Sequence, residues 1–411
     1  MSIENAIEEA GIVMNSENIE KVLVVGAGHM GHGIAEVALL SEYFVSLVDI
    51  NEDILAKGKA MIDWSLKKFV EKSQISQKKY EKIISNLEIT MDFKKAAQNT
   101  VLCIEAVPEK LELKKDIFRK LDKFSPKNAI LASNTSTMSI TEIGNVTQRP
   151  DKVVGLHFPP PAVLAKVIEI VRGNKTSDST IEFAINFVKR TEKEAIISKD
   201  SPGFICNRIM APSMILIQLM LDKKEYIPEE VDAAALNMGM IMGPYELLDY
   251  IGLDVLYDSS RYFAKHLSAD YSPVQTISKL VEKNKLGRKT GEGIYKWGLG
   301  GKRPFIDRSN PADFDVMDLM RVQINEAVKV LEEEVASIND IDNGMKLHYH
   351  NPWGPFELVE KTDLDELAEF LDNLADKYGK NVFRAHDWIR NKNLQERIKK
   401  ARLKANELKN I

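Results

Sequence analysis

Short apolar runs alternate with amphipathic stretches through the first half of the chain. The run at 21–25, KVLVV, is apolar along its whole length, as a strand buried on both faces requires. Similar runs stand at 45–49, 100–106, 129–132, 152–156 and 167–171. Helical periodicity separates them, so the pattern predicts a parallel sheet with right-handed helical crossovers. The helical stretch at 53–85 is longer than a crossover needs. It is rich in Lys and Glu, carries Trp64, Leu66, Phe69 and Tyr80, and reads as a helical pair inserted into the sheet domain. Residues 1–19 read as an accessory extension with one short helix.

Beyond Lys199 the pattern changes. A turn, SPGF, leads into a strongly apolar helix, and helical periodicity continues to Trp297. A Gly-rich linker follows, and a second helical region runs to the end. The two helical regions resemble each other: MGPYELLDYIGLDVL (242–256) matches WGPFELVEKTDLDEL (353–367). Each string follows an Asp-bearing helix, EEVDAAALNMG or INDIDNGMKLHYH, and a long apolar helix precedes each at similar distance. An internal duplication accounts for this. The predicted organisation is an extension at 1–19, an α/β domain at 20–199 with its insert, a helical domain at 200–297, a linker at 298–312 and a second helical domain at 313–411.

Composition narrows the class. The chain has 411 residues, 44% hydrophobic and 28% charged, with a net charge of −5. No basic stripe dominates, which disfavours nucleic acid as a partner. No run approaches the length of a membrane span. The first residues, MSIENAIEEAG, carry neither a basic start nor a long apolar core, so no secretory signal is expected. Cys103 and Cys206 lie in apolar contexts with no Cys or His cluster around them. They are expected to be packed thiols in a reducing compartment, the cytoplasm, with no metal site.

The chemistry-bearing strings sit at strand ends. Gly26-Ala27-Gly28-His29-Met30-Gly31 follows the first strand and opens a helix. The first Gly allows a tight turn, Gly28 lets backbone approach a pyrophosphate, and Gly31 lets helix and strand pack closely. The second strand ends at Asp49, placed to bind adenosine ribose hydroxyls. Together these predict a Rossmann-type dinucleotide-binding domain. A negative charge at 49, followed by Ile50 rather than Arg, favours NAD over NADP. A polar run, SNTS (133–136), follows another strand, at the sheet edge where open α/β folds bind ligands. His157 ends the strand at 152–156, and Glu169 lies on the next. A histidine is suited to accept a proton near neutral pH, and a carboxylate can orient it. The alternative for that pair is a packed histidine and a solvent-facing glutamate. His348 and His350 flank Tyr349 with no further ligand nearby, and read as structural rather than metal-binding.

With these strings in view, the chain resembles the 3-hydroxyacyl-CoA dehydrogenases of β-oxidation from about residue 21 to 297. The resemblance rests on GAGHMGHGIA, EAVPEKLELKKDIF, LASNTS, VGLHF, DSPGFICNR, MGPYELLDYIGLD and NKLGRKTGEGIYKW. It implies an active site of Ser136, His157, Glu169 and Asn207. It implies cofactor contacts from the glycine turn with Met30, and from Glu109, Lys114, Ser136 and Lys289. It implies CoA contacts from Ser65 and Lys72, and substrate contacts from Ser136 and Asn207. One string departs: the family usually reads HFFNPV after the histidine, and this chain reads HFPPPAV. Pro160 stands where an Asn is usual and offers neither an N–H nor an amide.

The expected function is reversible NAD-dependent oxidation of (S)-3-hydroxyacyl-CoA to 3-ketoacyl-CoA, on short chains such as 3-hydroxybutyryl-CoA, with His157 as base. A dehydrogenase of a free 3-hydroxy acid, or a catalytically silent nucleotide-binding subunit, is the alternative. The duplicated helical domains suggest a pseudo-dimer inside one monomer, with residues 218–221 covered by the chain's own C-terminal part. A homodimer is the alternative.

Overall fold

The computed structural model describes residues 20–391 and 393–409. The extension predicted at 1–19 lies outside them. The described chain forms two compact units. The first comprises residues 20–135 and 140–195, the second residues 136–139 and those from 196 on. Both helical copies belong to the second unit.

The first unit is built on a mixed sheet. Among the described residues the sheet has eight strands: β1 (Lys21–Val25), β2 (Phe44–Val48), β3 (Leu87–Thr90), β4 (Thr100–Glu105), β5 (Ile130–Ser133), β6 (Val153–His157), β7 (Val167–Arg172) and β8 (Glu194–Lys199), most of which counts with the second unit. Their order is β3-β2-β1-β4-β5-β6-β7-β8. The six runs singled out by hydrophobicity are all strands. The strand at 87–90 was not anticipated because its residues are only half-buried, and the strand at 194–199 because its burial is uneven. β1 to β6 pair in parallel, but β6 and β7 are antiparallel, against the all-parallel expectation. Only residues 158–166 join them, fewer than the dozen or so that a parallel crossover requires.

The turn after β1 leads into α1 (His29–Leu40). It sits where the chain order reverses, between β1 and β4. The predicted insert is a helical pair, α2 (Glu52–Glu71) and α3 (Gln77–Ser85). Asn51 and Ser76 cap their first turns through Ile54 N–H and Lys79 N–H. Gly58 lets α2 approach the glycine turn: a Cβ there would stand 2.8 Å from the Ala27 carbonyl oxygen.

Between α1 and α2 lies a buried acid. Glu36 is 1% exposed, and its Oε1 has no hydrogen-bond partner. Burial pushes its carboxyl up to about 7, opposed by a hydrogen bond with Ser65.

In the second unit, the long apolar helix is α4 (Cys206–Lys223). α5 (Pro228–Asn237) and α6 (Pro244–Ile251) follow it. The second copy repeats this as α7 (Asp318–Glu332), α8 (Ile338–Tyr349) and α9 (Pro355–Val359). One device fixes each copy. Asp232 accepts from Tyr245 N–H and Glu246 N–H at 2.8 and 2.9 Å, at the start of α6. Asp342 accepts from Phe356 N–H at 2.8 Å, at the start of α9. A Cβ on Gly243 or Gly354 would collide with these carboxylates at 2.2 and 2.3 Å, so both glycines are required. Burial pushes Asp232 up to about 7 and Asp342 to about 6 in spite of these bonds.

The copies pack through α4 and α7. Arg208 is 3% exposed. It donates to Glu326 at 2.9 Å and to Glu333 at 2.6 and 2.7 Å. Ser213 donates to the Leu319 carbonyl at 2.6 Å and accepts from Gln323 at 2.9 Å. Gln218, Leu219 and Met220 are buried, and Leu221 is half-buried. Residues 298–312 are tied down rather than loose: Asn310 donates to Glu230 and Ala312 N–H to the Glu230 carbonyl. Among the described residues no helix is long and apolar enough to cross a membrane.

Glu36 gives a pH-dependent prediction. Its folded value, about 7, exceeds the ordinary 4.5. Below 4.5 the acid is neutral in both states and costs nothing. As pH rises from 4.5 to 7 the unfolded chain ionises first, so folded stability falls. Glu36→Gln should therefore gain about 1–3 kcal/mol on the wild type between pH 4.5 and pH 8. Urea unfolding at both pH values checks this, and parallel pH profiles for the two proteins would disprove it.

Candidate active site

The glycine turn is shaped as its sequence predicts. Gly26 has φ +98°, and a Cβ there would stand 2.7 Å from the Ala106 carbonyl oxygen. Gly31 comes closer still, with a Cβ 1.7 Å from the Gly26 carbonyl oxygen. Nothing lies within 4 Å of a Cβ on Gly28, so packing does not explain that glycine, and a close backbone approach by a phosphate does. α1 starts at His29 with Gly28 as its cap residue. Met30 is half-buried in its first turn. The Asp49 carboxylate accepts from Ala27 N–H at 2.9 Å and from Asn51 N–H at 3.2 Å. It thus stands beside the turn, while Ile50 is exposed. The turn, the helix N-terminus and an acid at the end of β2 together fit the adenosine and pyrophosphate parts of NAD.

A charged network closes the ends of β4 and β5. Lys114, 1% exposed, donates to Glu105 at 2.8 Å and pairs with Glu109 at 3.0 Å. Burial alone would lower its ammonium, but the charges of Glu105 and Glu109 outweigh that and hold it above the ordinary lysine range. Ser133 donates to Glu105 at 2.6 Å, and Thr135 donates to Glu109. Glu109 and Lys114, the two residues for which the resemblance implied cofactor contacts, are paired with each other. Glu105, the fully buried anchor of the pair, was missed. It lies inside an apolar strand string, where only its charge marks it.

The antiparallel pairing of β6 and β7 sets His157 directly opposite Glu169. The imidazole Nδ1 lies 3.0 Å from Glu169 Oε2. Both side chains are buried, at 5% and 1% exposure. A carboxylate only accepts, so Nδ1 carries the proton and the basic lone pair is on Nε2. Next along the chain, Phe158 N–H donates to Asn134 Oδ1 at 2.9 Å, which fixes the backbone beyond the strand. Pro160 is exposed.

Ser136 and Asn207 meet in the second unit. Asn207, the second residue of α4, donates from Nδ2 to the Ser136 carbonyl at 3.0 Å. Lys289 also belongs to that unit, where it is exposed and bonds to Asp254. Ser65 lies on α2 beside Glu36, and Lys72 is the exposed residue that ends the helix. They lie seven positions apart, about two turns, which sets both on one face. Among the described residues no group of three or more His, Cys, Asp or Glu could hold a metal ion. Cys103 and Cys206 are both buried.

Comparison with known proteins supports one family across both units. The 3-hydroxyacyl-CoA dehydrogenase NAD-binding domain matches residues 21–201. The C-terminal domain of that family matches twice, at 203–297 and 314–405. Mitochondrial hydroxyacyl-coenzyme A dehydrogenase of Sus scrofa is 40% identical over 287 residues, 68% of this chain and 91% of that one. 3-Hydroxybutyryl-CoA dehydrogenase of Bradyrhizobium diazoefficiens is 37% identical over 281 residues, 68% of this chain and 96% of that one. The crystal structure of 3-hydroxybutyryl-CoA dehydrogenase from Escherichia coli K12 aligns with TM-score 0.82 at 25% identity, covering 91% of this chain and 98% of that one. With its NAD-binding turn, its strand-end histidine and a C-terminal domain present in two copies, the chain belongs to the 3-hydroxyacyl-CoA dehydrogenase family as an NAD-dependent enzyme.

Proposed function

We propose that the chain interconverts short-chain (S)-3-hydroxyacyl-CoA and 3-ketoacyl-CoA thioesters, 3-hydroxybutyryl-CoA among them, with His157 as the general base. The observation that carries this reading is the cross-strand pair of His157 and Glu169. Nε2 of His157 takes the proton of the C3 hydroxyl. Glu169 holds the ring in one tautomer and stabilises the imidazolium that forms. Ser136 and Asn207 hydrogen-bond the reacting oxygens and set the substrate's angle. Bound NAD would supply the acceptor for the hydride of C3. The glycine turn, Met30, Asp49, Glu109, Lys114, Ser136 and Lys289 hold the dinucleotide, and Ser65 and Lys72 hold the CoA moiety. The short-chain reading is supported by relatives named as 3-hydroxybutyryl-CoA dehydrogenases.

We further infer that the enzyme works in the cytoplasm as a monomer. Both cysteines are buried in apolar surroundings, with no Cys or His cluster around them in the sequence. α4 is packed by α7 of the same chain through Arg208 and Ser213. A tethered partner has a high effective concentration, which disfavours a second chain at that face.

Activity, cofactor preference and mass test these readings. The purified protein should form NADH from 3-hydroxybutyryl-CoA, with free 3-hydroxybutyrate as the control. His157→Gln should keep NADH binding and lose about 10²–10⁴-fold in turnover; a folded variant with wild-type turnover would remove His157 from the mechanism. For the cofactor, kcat/KM should favour NAD over NADP, because Asp49 meets a 2′-phosphate with like charge. Asp49→Ala should narrow that preference, and equal use of both cofactors by the wild type would refute the assignment. For assembly, light scattering should report a mass near one chain of 46.4 kDa, whereas twice that mass would show a dimer.

A further inference from the structure

Asn207 is held from two sides, and one side is the second helical copy. Its Nδ2 donates to the Ser136 carbonyl at 3.0 Å. Its Oδ1 lies 2.7 Å from the hydroxyl of Tyr349. The roles follow from chemistry. A carbonyl only accepts, so the amide nitrogen faces Ser136 and the amide oxygen faces Tyr349, whose O–H donates. The terminal torsion of an asparagine is broad and nearly two-fold. These two bonds single out one orientation of the amide.

Several features deliver the phenol to that place. Ile341 and Met345, both buried, share with Tyr349 the i, i+4, i+8 face of α8. Gly344 brings α8 against the start of α4: a Cβ there would stand 3.0 Å from Cys206 Sγ and 2.9 Å from Ile196 Cδ1. Cys206 is the neighbour of Asn207. Tyr349 is the last residue of α8, which His350 terminates at φ +57°. Just beyond, Asn351 donates to Gln323 at 3.1 Å, and Gln323 donates to Ser213 of α4 at 2.9 Å. The phenol is thus braced against α4 from both ends. It does not belong to the repeat. Tyr349 lies seven residues after Asp342, and the residue seven after Asp232 is Gly239.

We propose that Tyr349 is a positioning residue for the dehydrogenase reaction: its hydroxyl orients the Asn207 amide, so the second helical copy takes part in catalysis. This rests on the reading of Asn207 as a substrate contact. The hydroxyl acts on the reaction through Asn207. Nδ2 carries a second proton besides the one given to Ser136, and its direction is set by the same torsion. Loss of the phenolic donor lets the amide turn, which degrades alignment of the reacting oxygens more than affinity for the thioester.

A double-mutant cycle on the full chain tests this. Steady-state oxidation of 3-hydroxybutyryl-CoA at saturating NAD is measured for the wild type, Tyr349→Phe, Asn207→Ala and the double variant. Tyr349→Phe should lower kcat by about three- to tenfold, the worth of one hydrogen bond, with KM changed less than about twofold. NADH binding should be unchanged. In the Asn207→Ala background the same substitution should have no further effect. Replacing Tyr349 by 4-aminophenylalanine, which keeps the ring and restores an N–H donor, should recover most of the lost kcat. It also serves as the second variant if Tyr349→Phe is unstable. The proposal is overturned by wild-type kcat in Tyr349→Phe, by an equal loss in both backgrounds, or by failure of the amino analogue to recover activity. Wild-type kcat in Asn207→Ala would instead overturn the reading of Asn207 itself.

Discussion

Arg208 is a full positive charge with its side chain almost wholly inside the protein, and the helical half of the molecule is organised by the need to pair it. A guanidinium cannot be deprotonated to escape burial, so it must find acceptors. Glu326 of α7 and Glu333, just past its end, provide them, and Ser201 adds a hydroxyl at 2.9 Å. Burial would lift the Glu326 carboxyl, but Lys329 and Arg208 together bring it below its ordinary range. Removing one partner from such a buried pair costs about 3–5 kcal/mol. The second copy is therefore held by charge at a defined register on α4, not merely by apolar contact. Asn207 is the residue just before it on α4, so the register that satisfies Arg208 also places α8 beside Asn207.

In the sheet unit the equivalent constraint is a short connection. Residues 158–166 are too few to cross over the sheet, so β7 returns antiparallel to β6. An antiparallel register sets residues directly opposite each other, which is how Glu169 comes to face His157 twelve positions away. The same nine residues hold Pro159 and Pro160, the two prolines that distinguish this chain from the usual family string. Proline removes an N–H from the connection without touching the β6–β7 ladder, whose last pair is complete at His157 and Glu169.

Much of this was legible in the sequence because it is local. Strands buried on both faces read as apolar runs, and six of them were visible. The glycine turn was legible because tight geometry excludes other residues at Gly26 and Gly31. The half-buried strand at 87–90 gave no such signal, and nothing in the run 152–171 states that its two strands are antiparallel. The His157–Glu169 pair illustrates the boundary. Spacing alone left it open to a packed histidine and an exposed glutamate; the resemblance suggested the pair, and the ladder register supplies the contact. Glu105 and Glu36 were illegible for the opposite reason. Each is a charge inside an apolar pattern, and what it meets there comes from a distant segment.

The duplication shows where a repeat conserves physics and where it is free to change. Asp232 and Asp342 perform one task, accepting backbone N–H groups at the start of the helix that follows, and each leaves room only for a glycine before it. That device appears in both copies. Past it the copies diverge. The first holds a second buried aspartate, Asp249, which accepts from Ile294, Tyr295 and Trp297 and so ties the segment before the linker to α6. The position matching Asp249 in the second copy is Glu360, which is exposed and bonded to Arg402. The second copy thus kept the helix-start device and the charges that seat it on α4. Freed from supporting a segment like 287–297, it could place an aromatic donor at the end of α8, where the first copy has only glycine.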